Sequence, residues 1–235
     1  YHMVAVPEEN RELAETLKDD FPGEHLPEET SGEGQPAGEK STVPPLVDLA
    51  ALQEQYPDVK GWLAIPDTGI DYPVLQGSAD EPEYYLRRAF DGSSSLSGVP
   101  FVGEGYREDG RHTIIYGHNM KNGTMFATLH SYADREFWQA HPAITLDTLD
   151  ESRSYQVLGA FYSKAFLQTE ENVFRFYQCS DLSTQNAFEE YVEQVREAAL
   201  YDTGVAAEYG GELLTLATCK NGRFVVVAYC PAGGT

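Results

Sequence analysis

The segment TLATCKNGRFVVVA (residues 215–228) contains two runs of apolar and β-branched residues separated by a short polar stretch. Such runs on either side of residues 220–222 predict a β-hairpin. If these three residues form the turn, Cys219 and Arg223 lie directly opposite each other on one face. A turn one residue shorter would pair Cys219 with Phe224 and place Arg223 on the other face. The hairpin therefore brings a thiol and a guanidinium together only if its turn has three residues.

Cys219 is the candidate nucleophile of this hairpin. A thiol reacts as its thiolate, and a lone cysteine is mostly protonated near neutral pH, so a nucleophilic cysteine needs positive neighbours. Arg223 and Lys220 supply that charge, and Arg223 is also suited to stabilise an oxyanion on an attacked carbonyl. An ordinary hairpin with a basic turn has the same spacing, so the hairpin alone does not establish catalysis.

A candidate proton-transfer group lies upstream of the hairpin. His118 ends a predicted strand over residues 113–118 and is flanked by Gly117 and Asn119. The end of a strand exposes its last side chain at the rim of the sheet, where a histidine can transfer protons at ordinary pH. His112, His130 and His141 lack this setting, and we interpret them as structural.

Short β-type segments dominate the chain beyond residue 46. They are β-branched or aromatic and are bounded by Gly, Pro, Asp or Asn, over residues 62–65, 70–75, 113–118, 144–149, 154–163, 213–219 and 223–230. Helices are predicted near residues 46–52, loosely over 125–137, and most clearly over 187–199. Asp181 or Ser183 can cap the last helix, and Gly204 follows its end. The number of strands predicts a mainly β barrel or sandwich with peripheral helices.

The first 45 residues are predicted to lie outside the main domain. Residues 1–3 contain the pair His2-Met3, which is typical of a cloning remnant. Residues 4–18 predict a short, mostly solvated helix that need not touch the core. Residues 19–45 are rich in Pro, Gly and Glu and predict a flexible linker. The catalytic domain is predicted over residues 46–235.

Composition restricts the partners of the protein. The chain has 38 acidic and 16 basic side chains and a formal charge of -22, which argues against a nucleic-acid partner. No apolar run approaches the roughly 20 residues of a membrane helix, and we expect a natural membrane anchor to have been removed. Three cysteines are too few for a disulfide scaffold. Cys179 and Cys230 are expected either to form one disulfide or to remain two buried thiols.

The motifs together resemble the class B sortases. The strings YGHNM (residues 116–120) and TLATC (residues 215–219), with Arg223 on the next strand, carry the likeness. It runs from about Leu46 to Tyr229 and includes GWLAIP (residues 61–66) and the long helix before the cysteine strand. The resemblance implies the sortase eight-stranded mixed β-barrel with peripheral helices, and a cysteine transpeptidase that uses no cofactor or metal.

The resemblance also implies roles for individual residues. Cys219 would attack a threonine carbonyl in the sorting-signal peptide of a secreted surface protein and form a thioacyl enzyme, while His118 serves as acid and base and Arg223 stabilises the oxyanion. Asn119, Ala217 and Thr218 are expected to bind the substrate. Class B sortases usually have a longer loop between the cysteine and the arginine than the three residues present here.

The partner that resolves the acyl enzyme is left open by the sequence. An amine of peptidoglycan would attach surface proteins to the cell wall, and a pilin lysine would give pilus polymerisation. An inactive, peptide-binding homologue would have a similar sequence. An active enzyme of this kind is expected on the extracellular face of the membrane, in the cell wall.

Other enzyme classes fit the sequence less well. A papain-like protease places its cysteine before its histidine in a CGSC-type setting, a caspase-like protease needs a QAC-type motif, and no GxSxG elbow is present. A zinc site built from His112, His118, His130 and Cys219 matches no common ligand spacing.

Overall fold

A computed structural model describes residues 9–23, 47–107, 110–218 and 223–233 of the chain. Its eight described strands are β1 (Val59–Ala64), β2 (Asp71–Leu75), β3 (Phe101–Val102), β4 (His112–Gly117), β5 (Ala143–Asp147), β6 (Ser152–Ser163), β7 (Glu212–Thr218) and β8 (Arg223–Cys230). The α-helices are α1 (Glu9–Asp20), α2 (Leu49–Gln55), α3 (Arg135–Ala140) and α4 (Gln185–Ala198). Short 3₁₀ helices span Tyr84–Arg87, Phe126–Ala133 and Phe176–Gln178.

The strands close into a barrel in the order β1-β2-β3-β4-β7-β8-β6-β5. The pairs β2–β3 and β4–β7 are parallel, and the other neighbours are antiparallel. The predicted eight-stranded mixed barrel is therefore confirmed. Every predicted strand overlaps an observed one, whereas β3 was not predicted because two residues are too few to show an alternating pattern.

Side chains alternate between the two faces of the strands that hold the candidate site. On β7, Leu214 and Leu216 belong to the cluster that fills the barrel, while Leu213 and Ala217 pack outward against α4. On β8, Phe224 points inward and Val225 outward in the same way. This two-residue period determines the face on which the residues at the strand ends lie.

Helix α4 covers the outer face of the barrel. Phe188, Tyr191 and Val195 recur at helical spacing and are at most 2% exposed. The hydroxyl of Thr184 accepts a hydrogen bond from the Ala187 amide at 3.3 Å, so Thr184 is the N-cap.

The predicted caps of α4 were wrong. Asp181 lies further upstream, where its carboxylate accepts from the Ser183 amide at 3.1 Å, and neither residue caps the helix. The helix ends at Ala198 with Ala199 as C-cap. Gly204 has a positive φ of 73° but lies in the loop beyond, so its conformation serves that loop and not the helix end.

Helix α1 packs against the barrel, contrary to the prediction that it need not touch the core. Ala14 and Leu17 are 4% and 3% exposed and belong to the main cluster. Lys18 forms an ion pair with Asp71 on β2, and the Trp62 indole donates to the same carboxylate at 2.6 Å. The helix offers only Ala14 and two leucines one turn apart, and this apolar stripe is too narrow to predict the packing.

Three predicted features lie outside the described residues. They are the cloning remnant at residues 1–3, most of the linker, within residues 24–46, and the hairpin turn at residues 219–222, which includes Cys219. Among the helices that the structure describes, none is both long and apolar enough to cross a lipid bilayer.

Candidate active site

The candidate site lies where β4 and β7 end side by side. These parallel strands stay in register up to the pair Gly117 and Thr218. In the sequence the next residue of β4 is His118 and the next residue of β7 is Cys219. Cys219 itself lies outside the described residues, but the structure brings together the two strands that lead to the predicted base and the predicted nucleophile.

His118 is more enclosed than a side chain at an open strand end. Only 7% of it is exposed, against the expectation of an open rim position. The chain folds back after His118, so that its carbonyl accepts from the Phe126 amide at 2.8 Å and Asn119 forms a β-bridge with Met125. The backbone around His118 is therefore fixed before the residue by the pairing of Gly117 with Thr218, and at and after it by the contacts with Met125 and Phe126.

The glycine before His118 is required by close packing. A Cβ atom at Gly117 would lie 2.6 Å from Cγ of Phe126, whose ring is fully buried. We expect Gly117→Ala to lower the free energy of unfolding by about 1–3 kcal/mol because the ring has to move. Urea denaturation measures this loss.

Gly69→Ala is the matched control, because no atom lies within 4 Å of a Cβ added there. Equal stability of the two alanine variants would show that residue 117 does not press on Phe126. Activity should fall in Gly117→Ala alone, since His118 is the next residue along the backbone.

Arg223 is the first residue of β8, and its position two residues before Val225 puts it on the outward face of that strand. Its backbone pairs with Ser163 of β6. The guanidinium carbon lies 5.9 Å from the centre of the Tyr116 ring and 5.2 Å from the centre of the Tyr177 ring. Both distances are within the range of cation–π attraction.

A groove of about 490 Å³ begins at Arg223 and is open to solvent. Aromatic and apolar side chains contribute to its lining, among them Leu86, Phe101, Tyr116, Phe166 and Tyr177. Charge is added by Arg223 and by the exposed carboxylates of Glu83 and Glu104. A groove that offers both aromatic and charged side chains is suited to bind a short peptide and fix its orientation.

The segment between β6 and the 3₁₀ helix Phe176–Gln178 is braced by charged groups. Glu170 accepts hydrogen bonds from the Lys164 ammonium at 2.8 Å and the Leu167 amide at 2.6 Å, and these bonds lower the pKa of Glu170. Arg175 donates to the carbonyls of Leu167 and Glu170, at 2.7 Å each. This segment carries Phe166 into the groove.

A buried polar chain connects the same segment to the barrel. His112 is 2% exposed; Nδ1 lies 2.5 Å from the Cys179 carbonyl and Nε2 lies 2.8 Å from the Thr215 hydroxyl. Burial lowers the pKa of His112 to about 4, so the ring is neutral at pH 7. Because a carbonyl only accepts, Nδ1 carries the proton and Nε2 accepts from Thr215. The Tyr191 hydroxyl, 2.8 Å from that of Thr215, extends the chain into α4.

The residues predicted to bind substrate occupy different surroundings. Asn119 follows His118 directly, and its amide nitrogen lies 2.9 Å from Nε2 of His130. Ala217 is fully buried, and Thr218 is 1% exposed with its hydroxyl accepting from the Phe224 amide at 2.9 Å. Burial argues against direct contact of these two side chains with a peptide.

The groove residues Leu86, Phe166 and Tyr177 were not identified from the sequence. Leu86 is far along the chain from the other two residues, and the fold brings all three to one groove. The signal that could have found two of them is the aromatic content of a polar segment, since residues 164–178 contain Phe166, Phe174, Phe176 and Tyr177.

The remaining cysteines do not form the disulfide considered above. Cys179 and Cys230 are both thiols. Burial raises the pKa of each, so neither has the setting of a reactive thiolate. Within the described residues, no group of three or more His, Cys, Asp or Glu side chains is placed to hold a metal ion.

Comparison with known proteins identifies the class of this barrel. The profile of the sortase domain matches residues 63–230, well over half of the chain. The chain therefore belongs to the sortase family, whose members are cysteine transpeptidases.

Its relatives within that family are sortase B proteins. Sortase B of Listeria monocytogenes is 32% identical over 189 residues, which cover 76% of this chain and 72% of that protein. Sortase B from Bacillus anthracis in complex with AAEK1 has a TM-score of 0.72 at 28% identity and covers 94% of this chain and 96% of its own. A Staphylococcus aureus sortase B–substrate complex has a TM-score of 0.68 at 25% identity, with 77% and 83% covered. The predicted resemblance to class B sortases is confirmed.

Proposed function

We propose that the protein cleaves a sorting-signal peptide at a threonine carbonyl and transfers the acyl group to an amine, attaching surface proteins to the cell wall outside the membrane. The observation that carries the proposal is the convergence of β4, β7 and β8 at one end of a peptide-sized groove. His118 follows β4, Cys219 follows β7 and Arg223 begins β8.

The strand register supports a shared position for the nucleophile and the arginine. Ala217 pairs with Val225, and both face outward. Cys219 is two residues after Ala217, and Arg223 is two residues before Val225. If the antiparallel register continues for two residues, Cys219 and Arg223 form a pair on that outward face, as a three-residue turn requires.

The proposed reaction has two acyl-transfer steps. The Cys219 sulfur bonds to the threonine carbonyl carbon, the peptide C–N bond breaks, and His118 gives a proton to the leaving amine. An incoming amine then attacks the thioester, His118 removes its proton, and the Cys219 thiolate leaves. In both steps the permanent charge of Arg223 stabilises the negative oxygen of the tetrahedral intermediate.

The groove supports a peptide as the first substrate. Its lining combines aromatic side chains with charged groups, it reaches Arg223, and it lies on the face where the register would place Cys219. A solved structure of the Staphylococcus aureus relative is a substrate complex, and we expect the substrate of this protein to bind in the groove described above.

The experiment that tests the proposal incubates the protein with a panel of threonine-containing sorting peptides and a panel of amines, and identifies the products by mass. We expect an N-terminal fragment ending in threonine and joined to the preferred amine, with slow hydrolysis when amine is omitted. A glycine or diamino-acid acceptor would indicate cell-wall anchoring, and a pilin lysine would indicate polymerisation. Binding of peptides without any cleavage would show an inactive homologue and overturn the proposal.

A further inference from the structure

The guanidinium of Arg223 contacts two tyrosine rings contributed by different parts of the fold. Tyr116 lies on β4, and its ring centre is 5.9 Å from Cζ of Arg223. Tyr177 lies in the 3₁₀ helix Phe176–Gln178, and its ring centre is 5.2 Å from the same atom. Thus the sheet and the segment after β6 both contact one cation.

Arginine needs such contacts if it is to act at a fixed point. Its side chain has four rotatable bonds, and ordering it costs on the order of 2 kcal/mol of rotamer entropy. Stabilisation of an oxyanion depends on a donor that is already in place when the charge develops. Aromatic rings hold a guanidinium without accepting its hydrogen bonds, so its N–H groups stay available for a substrate oxygen.

The Tyr177 ring is itself fixed by its surroundings. Its hydroxyl accepts from the Phe166 amide at 3.3 Å, and the preceding residue, Phe176, is fully buried. Two residues later, the carbonyl of Cys179 accepts from the buried His112 at 2.5 Å. Because the Tyr177 ring is fixed in this way, it can restrict the orientation of the Arg223 guanidinium that it contacts.

We propose that Tyr116 and Tyr177 are positioning residues that hold Arg223 in the orientation needed at the oxyanion. This inference rests on the proposed function, because it gives Arg223 that task. Tyr177 would then affect kcat indirectly, by fixing the orientation of Arg223, and would also form part of the groove wall.

The test compares kcat and KM of Tyr177→Leu and Tyr177→Phe in peptide transfer. Loss of the ring in Tyr177→Leu should lower kcat by about threefold to thirtyfold with a smaller change in KM. Tyr177→Phe keeps the ring and should retain most of the activity. Tyr209→Leu is the matched control, because Tyr209 contacts Arg111 in the same way, at 5.7 Å, outside the groove. Equal kcat values for Tyr177→Leu and the wild type would overturn the proposal.

A double-mutant comparison separates positioning of Arg223 from direct binding of substrate. Arg223→Ala alone should lower kcat by about 10²–10³-fold. Adding Tyr177→Leu to that variant should cost less than about twofold more, since the ring then has no arginine to hold. A full additional loss would show that Tyr177 acts on the peptide itself and would reject the positioning role.

A measurement without substrate separates this inference from the proposed function. In a ¹H–¹⁵N NMR spectrum, the Arg223 Nε proton should show a ring-current shift that changes in Tyr177→Leu and largely remains in Tyr177→Phe. An unchanged Arg223 signal in Tyr177→Leu would overturn the contact. The expected shifts in a protein that cleaves no peptide would support the contact and overturn the proposed function.

Discussion

Cys219→Ala is expected to abolish peptide transfer, with a fall in kcat of about 10⁴-fold or more. The proposed reaction passes through a bond between the substrate acyl group and the Cys219 sulfur, and alanine offers no atom that can form it. Steady-state cleavage of the preferred sorting peptide measures the effect. Mass spectrometry of the wild-type protein, quenched during turnover, should show the acyl group on the peptide that contains Cys219. Substantial transfer by Cys219→Ala would contradict the proposed chemistry.

Selective alkylation gives the control for Cys219. Burial raises the pKa of the Cys179 and Cys230 thiols, and Cys230 is only 2% exposed, so both should react slowly with iodoacetamide under native conditions. Rapid labelling should affect one site and should disappear in Cys219→Ala while remaining in Cys179→Ala. Equal, slow labelling of all three thiols would indicate that Cys219 is not activated.

The barrel could be predicted because its strands are amphipathic or fully buried runs with clear ends. The hairpin of β7 and β8 was predicted from two apolar, β-branched runs on either side of a short polar stretch, and the structure pairs these two strands. The β4–β7 pairing joins segments that are distant in sequence, so residue patterns alone do not indicate it. The family resemblance implied only that the barrel is mixed, and the structure supplies this pairing.

The errors arose where a structure depends on few residues or on distant contacts. Strand β3 has two residues and is fixed by its neighbours on either side, Leu75 and Tyr116, not by its own pattern. Helix α1 is held through Ala14, Leu17 and the ion pair of Lys18, none of which forms a wide apolar stripe. Tertiary packing, and not local propensity, decides such elements.

The sequence predicts candidates for the reacting groups, which stay predictions, but it did not identify the residues of the groove. His118 and Arg223 could be named as candidates because each has a chemical requirement that the local sequence displays, at a strand end and beside a thiol. Tyr177 and Phe166 have no such requirement, and their place beside Arg223 follows from a long segment braced by Glu170. Specificity is therefore harder to predict than chemistry in this protein.

His118→Ala is expected to lower kcat by about 10²–10⁴-fold, the usual contribution of a general acid and base. The leaving amine would depart without a proton, and the incoming amine would attack without a base, so both halves of the reaction should slow. The measurement is kcat for transfer at fixed pH, and added imidazole should restore part of the rate.

His141→Ala is the matched control for the loss of a histidine. Nδ1 of His141 lies 3.0 Å from the Pro66 carbonyl, and the residue does not line the groove, so transfer should remain at the wild-type rate. Both variants should keep the wild-type unfolding midpoint within a few degrees if the loss is chemical. Full activity of His118→Ala would mean that another group moves the proton, and Asn119–His130, 2.9 Å apart, would be the pair to examine next. A kcat that falls while alkylation of Cys219 stays rapid would show that His118 acts in proton transfer and is not needed to activate the thiol.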